Sequence, residues 1–542
     1  MPLCARWRPG LRRIYSSVQF FSTSSVHSMA RTYEDAIAAL NSLQSNFAIV
    51  DAIRKSGRGM NKDAIPEMID WCKKIGYQPA DLNCLNPIHI AGTKGKGSTC
   101  AFISSILSQY LPTATEPHPK FSKIGLYTSP HLRFVRERIQ INSAPLSEAD
   151  FAKYFFETWD RLEASAKAVG MAPDDPASKP VYFRFLTLMA FHAYISEGVD
   201  AAIIECGIGG EYDSTNILVQ PVVTGITSLG IDHVAVLGNT IEEIAWHKGG
   251  IMKPGARAYA APQPDAALNV LSERAKEIGV ELEVTEGNPG LDPTNPTVQL
   301  GLSGEFQYKN AELAVGVAGA FLRARGVEDI PTNLNTAPLP SKFRAGLETA
   351  RLGGRCDKRR EKNVAWHIDG GHTLDSIEAT GKWFASQPYA QGPSTPDQGS
   401  EKPRVLIFNQ QTRDSVELAR ALNETFVSSG TKPFTHAIFC TNVTFKEAGY
   451  RPDLVSVNTN SSDVEKLSVQ KALAETWKQL SPSTDVQVKC TIEEAVDFVR
   501  DLAASEAKKL GEDKDGVAVS VLVTGSLHLV GGLLEVLETT QT

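Results

Sequence analysis

Pro87-Ile88-His89-Ile90-Ala91-Gly92-Thr93-Lys94-Gly95-Lys96-Gly97-Ser98-Thr99 is a short apolar run that breaks into glycines around lysines. It reads as strand, phosphate loop and helix. Gly92, Gly95 and Gly97 free the backbone to curl with its N–H groups inward, Lys96 adds a full charge, and the helix from Ser98 aims its positive dipole end at the same point. Such a loop seats a polyphosphate. The spacing departs from Gly-x-x-x-x-Gly-Lys-[Ser/Thr]: the first glycine is two positions too close, and Gly97 stands where the hydroxyl residue belongs, with Ser98 next. A plain glycine-rich turn is the alternative. A lysine between two glycines, followed by Cys100, Phe102, Ile103, Ile106, Leu107 and Tyr110 at helical spacing, favours the nucleotide.

At 542 residues the chain exceeds one ordinary core, and two or three domains are expected. With 42% apolar and 22% charged residues the composition is that of a soluble enzyme, and no apolar run is long enough for an integral membrane segment. The eight cysteines form no C-x-x-C pair, which argues against a zinc ribbon or a disulfide scaffold and for reduced thiols. Residues 1–30 carry Arg6, Arg8, Arg12 and Arg13, many serines and no acid before Glu34, a transit-peptide composition. Met29 reads as a second start, so mitochondrial and cytoplasmic forms are expected. Removing those four charges from the net −7 leaves −11, which disfavours nucleic acid as a partner.

Residues 31–80 read as packing helices. After the phosphate loop, strand Lys123–Tyr127 ends in Thr128-Ser129-Pro130-His131-Leu132, a shaped loop at a strand end. Tyr182-Phe183-Arg184-Phe185-Leu186 opens an apolar helix whose aromatics are core, or a stacking surface for a flat ligand. Strand Val199–Ile204 ends in Glu205-Cys206-Gly207-Ile208-Gly209-Gly210. A carboxylate there is placed as a magnesium ligand, or caps the next turn. Strand Val222–Thr227 runs into Leu229-Gly230-Ile231-Asp232-His233, and the helix Thr240–Lys248 brings Lys248 toward the same edge, where the dipole alone would also favour a lysine. Alternating strands and helices predict a doubly wound, mainly parallel P-loop domain over 31–345, closed by the helix Asn310–Ala324. Residues 346–363, with Arg351, Arg355, Lys358, Arg359, Arg360 and Lys362, read as a basic linker. A smaller α/β, Rossmann-like domain follows over 364–542, with Asp369-Gly370-Gly371-His372-Thr373 after its first strand. Residues 386–403, rich in Pro, Ser, Gln and Gly, read as an insertion.

These segments together resemble the folylpolyglutamate synthases, within the superfamily of ATP-dependent Mur-type amide ligases. Gly92–Ser98 matches that family's phosphate loop; Thr128–Leu132 with Val135-Arg136-Glu137-Arg138-Ile139 looks like its omega loop. Tyr182–Leu188, Glu205–Gly210, Ser228–His233, Ala245–Ile251, Asp369–Thr373 and Thr524-Gly525-Ser526-Leu527-His528-Leu529 follow in family order. The resemblance runs from about residue 31 to the end. It implies that Gly92, Thr93, Lys94, Gly95, Lys96, Gly97 and Ser98 bind ATP, with Gln307, Asn310, Arg355 and Asp369. It also implies that Ser129, Glu205 and His233 bind magnesium, that Lys248 is carbamylated, and that Phe183, Ser129 and Pro130 meet the folate. Lys96, Lys248, Asp369 and His372 would act in catalysis, and Ser526 and His528 would bind glutamate. Two departures stand out: Leu352-Gly353-Gly354-Arg355 replaces the family's Trp-Pro-Gly-Arg, and Gly304-Glu305-Phe306-Gln307 lacks the histidine often found before the glutamine.

The expected partners are therefore ATP, reduced folates and L-glutamate, acting on a monomer. The expected reaction adds glutamate to the γ-carboxylate of tetrahydrofolate or its polyglutamates through an acyl phosphate. Dihydrofolate synthase is the nearest rival, and a non-catalytic nucleotide-binding regulator is the rival of another class.

Overall fold

The computed structural model describes residues 31–44, 62–113, 120–388, 402–411, 414–447, 452–454, 466–510 and 516–539. The expected transit segment and residues 389–401 of the expected 386–403 insertion lie outside them. The first sheet contains β1 (Ile88–Ala91), β2 (Ile124–Tyr127), β3 (Ile139–Ile141), β4 (Ala144–Pro145), β5 (Ala201–Glu205), β6 (Val223–Ile226), β7 (Arg257–Ala260) and β8 (Leu282–Val284). Its order is β4-β3-β2-β5-β1-β6-β7-β8, and only the β2–β3 and β3–β4 pairs are antiparallel. β1 and β5 are buried along their whole length. Both read as continuous apolar runs because helices cover both faces.

The helix Lys96–Ser108 is buried on nearly every side, packed between the sheet and the helices Gln307–Ala324 and Ser341–Thr349. A helix enclosed in this way has no charged face beyond its first residue, and its polar members are small hydroxyls such as Ser98, Thr99 and Ser104, which are buried with the apolar ones. Gly346 lets the last of those helices approach: a Cβ there would lie 2.6 Å from the Ile106 Cα. On the other face Tyr33, Ile37 and Leu40 join Phe151, Phe155, Phe185 and Phe191 in a second core. The described residues 31–44 and 62–80 thus have the packing role that their periodicity predicts, and 45–61 lie outside the described residues.

The second sheet contains β9 (Asp357–Glu361), β10 (Val364–Ile368), β11 (Arg404–Phe408), β12 (His436–Cys440), β13 (Asp485–Lys489) and β14 (Val519–Thr524). Its order is β13-β12-β11-β14-β10-β9, parallel except for β9. The expected basic linker is corrected here. Residues 357–361 are an edge strand antiparallel to β10, and residues 346–349 end the preceding helix. Strand pairing needs only backbone groups, and charged side chains on an edge strand deter further pairing, so composition alone hid it. The seven cysteines among the described residues are all free thiols, and no described helix is long and apolar enough to cross a membrane.

The domains meet through a small set of bonds. Asp453 accepts from the Tyr33 hydroxyl at 2.5 Å and from the Val135 N–H at 2.8 Å. Arg133 pairs with Glu535 at 2.5 Å and also with Glu538. Lys94 in the phosphate loop pairs with Asp375 across the cleft. The helix Leu527–Thr539 is pressed onto the omega loop at Gly531, where a Cβ would lie 1.9 Å from the Leu132 carbonyl oxygen. Backbone cannot yield as a flexible side chain can. Gly531→Ala should therefore cost about 1–3 kcal/mol of docking. Turnover should fall with little change in far-UV circular dichroism, and unchanged turnover would show that the joint absorbs the methyl group.

Candidate active site

Parallel strands deliver their carboxyl ends to one edge. After β1 comes the phosphate loop, after β2 Ser129, at the end of β5 Glu205, and after β6 the Ser228–His233 turn. The second sheet presents Asp369 after β10 and Ser526 after β14. These two edges face each other across a cleft of about 2410 Å³.

In the loop Gly92 has φ +147° and Gly95 φ +89°. A Cβ at Gly92 would lie 1.8 Å from Thr227 Oγ1, and one at Gly95 2.1 Å from Asn310 Oδ1, so both conformation and space demand glycine. The Thr93 and Lys94 N–H groups both donate to the Ser228 carbonyl at 3.1 Å. That corrects the expectation that the whole loop turns its N–H groups inward. The first-turn N–H groups of Lys96, Gly97 and Ser98 have no intrahelical acceptor and remain for an anion. Lys96 Nζ reaches back to the carbonyls of Gly92 at 3.1 Å and Thr93 at 3.5 Å.

Lys248 lies behind this loop and is 2% exposed, outside the cleft wall. Its helix, Ile241–Gly249, is fixed at the start by the Thr240–Glu243 capping box, and its last turn delivers Nζ to the Gly92 carbonyl at 2.8 Å. Burial, with the Lys96 charge second, lowers its pKa to about 7. The glycines after Glu205 make this packing feasible. A Cβ at Gly210 would lie 2.6 Å from the His247 carbonyl oxygen, and one at Gly207 2.6 Å from Phe183 Cζ.

Glu205 is 3% exposed, and its carboxylate accepts from the Ser129 N–H at 3.0 Å. Burial raises its pKa, opposed chiefly by Lys96. A buried carboxylate of this kind, with the Ser129 side chain beside it in the cleft wall, suits a hard divalent cation. His233 also lines the cleft, but its side chain is 40% exposed and its Nε2 is 4.0 Å from Asp232 Oδ2. Among the described residues no three His, Cys, Asp or Glu side chains gather into a metal cluster. Any cation there would lean on Glu205, hydroxyl oxygen and the ligand's own phosphates. Phe183 stands at the cleft wall with Pro130, its ring 6.1 Å from that of Tyr127.

Across the cleft Asp369 is buried and committed to its own loop. Oδ1 accepts from the Gly371 N–H at 2.8 Å and Thr380 Oγ1 at 2.7 Å, and Oδ2 from the Cys356 N–H at 2.9 Å. The Gly370 N–H donates to the Gly354 carbonyl at 3.0 Å. Together these bonds pin the Leu352–Arg355 turn, so the missing Trp-Pro does not leave Arg355 unplaced: it lines the cleft. His372 Nδ1 lies 2.9 Å from the Gly370 carbonyl. Ser526 Oγ accepts from the His528 N–H at 3.2 Å, and both residues line the cleft.

Gln307 is a correction. Its side chain is fully buried outside the cleft wall and accepts from Asn310 Nδ2 at 2.9 Å, so it orients Asn310 and does not face a ligand itself. The two residues lie one turn apart on the same helix face, and the Gln307 amide is spent on Asn310. Phe306, which stands where the family often has a histidine, is 40% exposed on the wall. Sequence reasoning also missed Gln410, Gln411 and Asn442, which line the second domain's side of the cleft. The strand-end rule that found Glu205 would have found them after β11 and β12.

Lys248 yields a sign-definite prediction. A folded pKa near 7 against an ordinary 10.5 means that the unfolded chain binds more protons between those values. The penalty from burying this amine is full below about pH 7 and fades as pH rises toward 10.5. Lys248→Met should flatten the rise of melting temperature across that window while removing activity. A melting-temperature profile as steep as that of the unsubstituted protein would place the titration elsewhere.

No family model matches the chain. It is 46% identical to the folylpolyglutamate synthase of Neurospora crassa over 524 residues, covering 96% of this chain and 94% of that protein. To the folylpolyglutamate synthase of Saccharomyces cerevisiae it is 45% identical over 515 residues, covering 94% and 88%. Among solved structures, Mycobacterium tuberculosis folylpolyglutamate synthase complexed with ADP superposes with a TM-score of 0.63 at 21% identity, covering 92% of this chain and 98% of that one. That structure carries the two-domain fold over to this chain, and the identity to the fungal proteins over nearly the full length decides the rest: the chain belongs to the folylpolyglutamate synthase family.

Proposed function

We propose that this chain ligates L-glutamate to the γ-carboxylate of a reduced folate or its polyglutamate, converting ATP to ADP and phosphate. One observation carries the reading: the phosphate loop, Glu205 and Phe183 of one domain share a single cleft with Arg355, His372 and Ser526 of the other. A carboxylate resists attack by an amine because it is already negative and has no good leaving group. Transfer of the γ-phosphoryl group breaks the bond to ADP and makes an acyl phosphate. The glutamate amine then attacks the acyl carbon, phosphate departs, and the amine's proton is lost. The chain contributes mainly position and charge. Lys96 and the first-turn N–H groups hold the phosphates; the aromatic wall at Phe183 takes the flat pterin. Magnesium, held by Glu205 and Ser129 with His233 beside them, would neutralise phosphate charge.

With its pKa lowered to about 7, Lys248 has a large unprotonated fraction at neutral pH, which supports carbamylation, since only an unprotonated nitrogen can add to carbon dioxide, losing a proton as the carbamate forms. The arginine- and serine-rich composition of residues 1–28, with Met29 after it, supports a mitochondrial form and a cytosolic form. Deleting residues 1–28 should leave kcat unchanged and confine the protein to the cytosol. Mitochondrial import of the truncated chain would place the address elsewhere.

The direct test supplies Mg-ATP and labelled glutamate with tetrahydrofolate, a folate diglutamate, dihydropteroate or no acceptor. Label should enter both folates with one phosphate released per amide. Incorporation with dihydropteroate alone would reassign the chain to dihydrofolate synthase, and ATP turnover without incorporation would favour a regulator.

A further inference from the structure

The omega-loop segment Val135-Arg136-Glu137-Arg138, preceded by Arg133, supplies three arginines with different fates. Arg133 is neutralised by Glu535 and Glu538 at the domain joint. Arg136 donates to the Leu146 carbonyl at 3.2 Å and lies over Phe134. Arg138 is the most enclosed, only 8% exposed, yet it lines the cleft. Its Nε donates to His131 Nδ1 at 2.9 Å, and its guanidinium lies 5.6 Å from the centre of the Tyr182 ring.

Neither neighbour neutralises it. His131 Nε2 lies 2.9 Å from the Asp453 carbonyl oxygen, which can only accept, so Nε2 carries the proton and Nδ1 is left to receive the Arg138 N–H. The imidazole is neutral, and burial with the Arg138 charge holds it well below the usual histidine range. Among the described residues no carboxylate forms an ion pair with Arg138. His528 of the second domain feels the same charge. The Arg138 guanidinium thus opens onto the cleft with no described residue accepting from its terminal N–H groups, and Glu205 feels its charge without pairing with it, which leaves the fork for an anion that the ligand brings.

We infer that Arg138 is a carboxylate-recognition residue that holds the non-reacting α-carboxylate of a glutamyl unit. The inference rests on the ligase reading above and deepens it. Phosphate has its own seat on Lys96 and the helix start, whereas a guanidinium fork matches a planar carboxylate. Every glutamyl unit in the reaction carries an α-carboxylate that must enter the cleft charged and takes no part in the bond being made. That carboxylate belongs either to the incoming glutamate or to the terminal residue of the folate, and the chemistry of recognition is the same.

The test measures KM and kcat in the full chain for L-glutamate against 4-aminobutanoate, which lacks the α-carboxylate. It does the same for tetrahydrofolate against its glutamyl α-carboxamide. Arg138→Ala and Arg138→Gln are compared with the unsubstituted enzyme, the second because it keeps an N–H at the position of Nε for His131 while losing the charge and the terminal fork. Each should raise KM for one substrate by about ten- to a hundredfold and erase the preference for the carboxylate over its analogue. ADP affinity should hold, and guanidinium ion should restore part of the loss in Arg138→Ala. Lost discrimination between glutamate and 4-aminobutanoate assigns the carboxylate to the donor, and lost discrimination between folate and amide assigns it to the acceptor. Either supports the inference. Unaltered discrimination in both pairs, in an Arg138→Gln protein that still binds ADP, overturns it. An unsubstituted enzyme that ligates neither folate nor glutamate overturns the ligase reading and this inference with it.

Discussion

One carbonyl oxygen, that of Gly92, accepts from two lysines: Lys248 at 2.8 Å and Lys96 at 3.1 Å. Two ammonium groups on one oxygen repel each other, and the deeper one yields, its pKa falling to about 7 under burial and the nearby Lys96 charge. The geometry that presents this oxygen needs φ +147° at residue 92 with Thr227 packed where a Cβ would stand. The phosphate loop therefore takes its shape from β6 on one side and from the helix Ile241–Gly249 behind it as much as from its own glycines. A change in any of the three would be felt at the phosphate seat.

The cleft depends equally on how the second domain is mounted. Asp453 collects Tyr33 and Val135, while its own carbonyl fixes the tautomer of His131, and His131 in turn receives Arg138. The same short segment that docks the domains thus orients the unpaired arginine in the cleft. Substrate groups held by Arg138 and by the Ser526–His528 turn would meet across this joint, so docking and positioning are one physical problem. Closure around the joint also excludes water, which matters because an acyl phosphate hydrolyses readily.

Much of this was legible in the sequence, for a definable reason. β10, β11 and β12 fall where continuous apolar runs predict them, because parallel strands are covered on both faces and must be apolar throughout. The strand-end rule singled out the phosphate loop and Glu205, the resemblance brought Asp369 toward the nucleotide, and all three line one cleft. What stayed hidden has weak local signal. β9 is Asp357-Lys358-Arg359-Arg360-Glu361, a charged edge strand with no apolar run to mark it, and β8 is three residues long. Gln307 and Lys248 carry the expected residue types, but whether a helical side chain faces a ligand or its neighbour depends on rotation about the helix axis. Arg138 was visible as part of a motif, whereas its lack of a counter-ion is a fact about space.

Charge completes the account. The whole chain is net −7, yet the proposed reaction brings it a polyphosphate and two carboxylate-bearing substrates, and bulk attraction cannot help it. The answer lies in which cationic groups are already spent. Lys94 is paired with Asp375 and Arg133 with Glu535, so these serve the domain joint. Lys96 rests on loop carbonyls, and Arg138 rests on a neutral imidazole and a ring. A carbonyl or an imidazole orients a cation without cancelling its charge, whereas a carboxylate cancels it. Low-dielectric walls then leave the field of the uncancelled groups unscreened within the cleft. An acidic protein can in this way keep a local seat for polyphosphate and for carboxylate, each set by what its cation is bonded to and not by how many basic residues the chain contains.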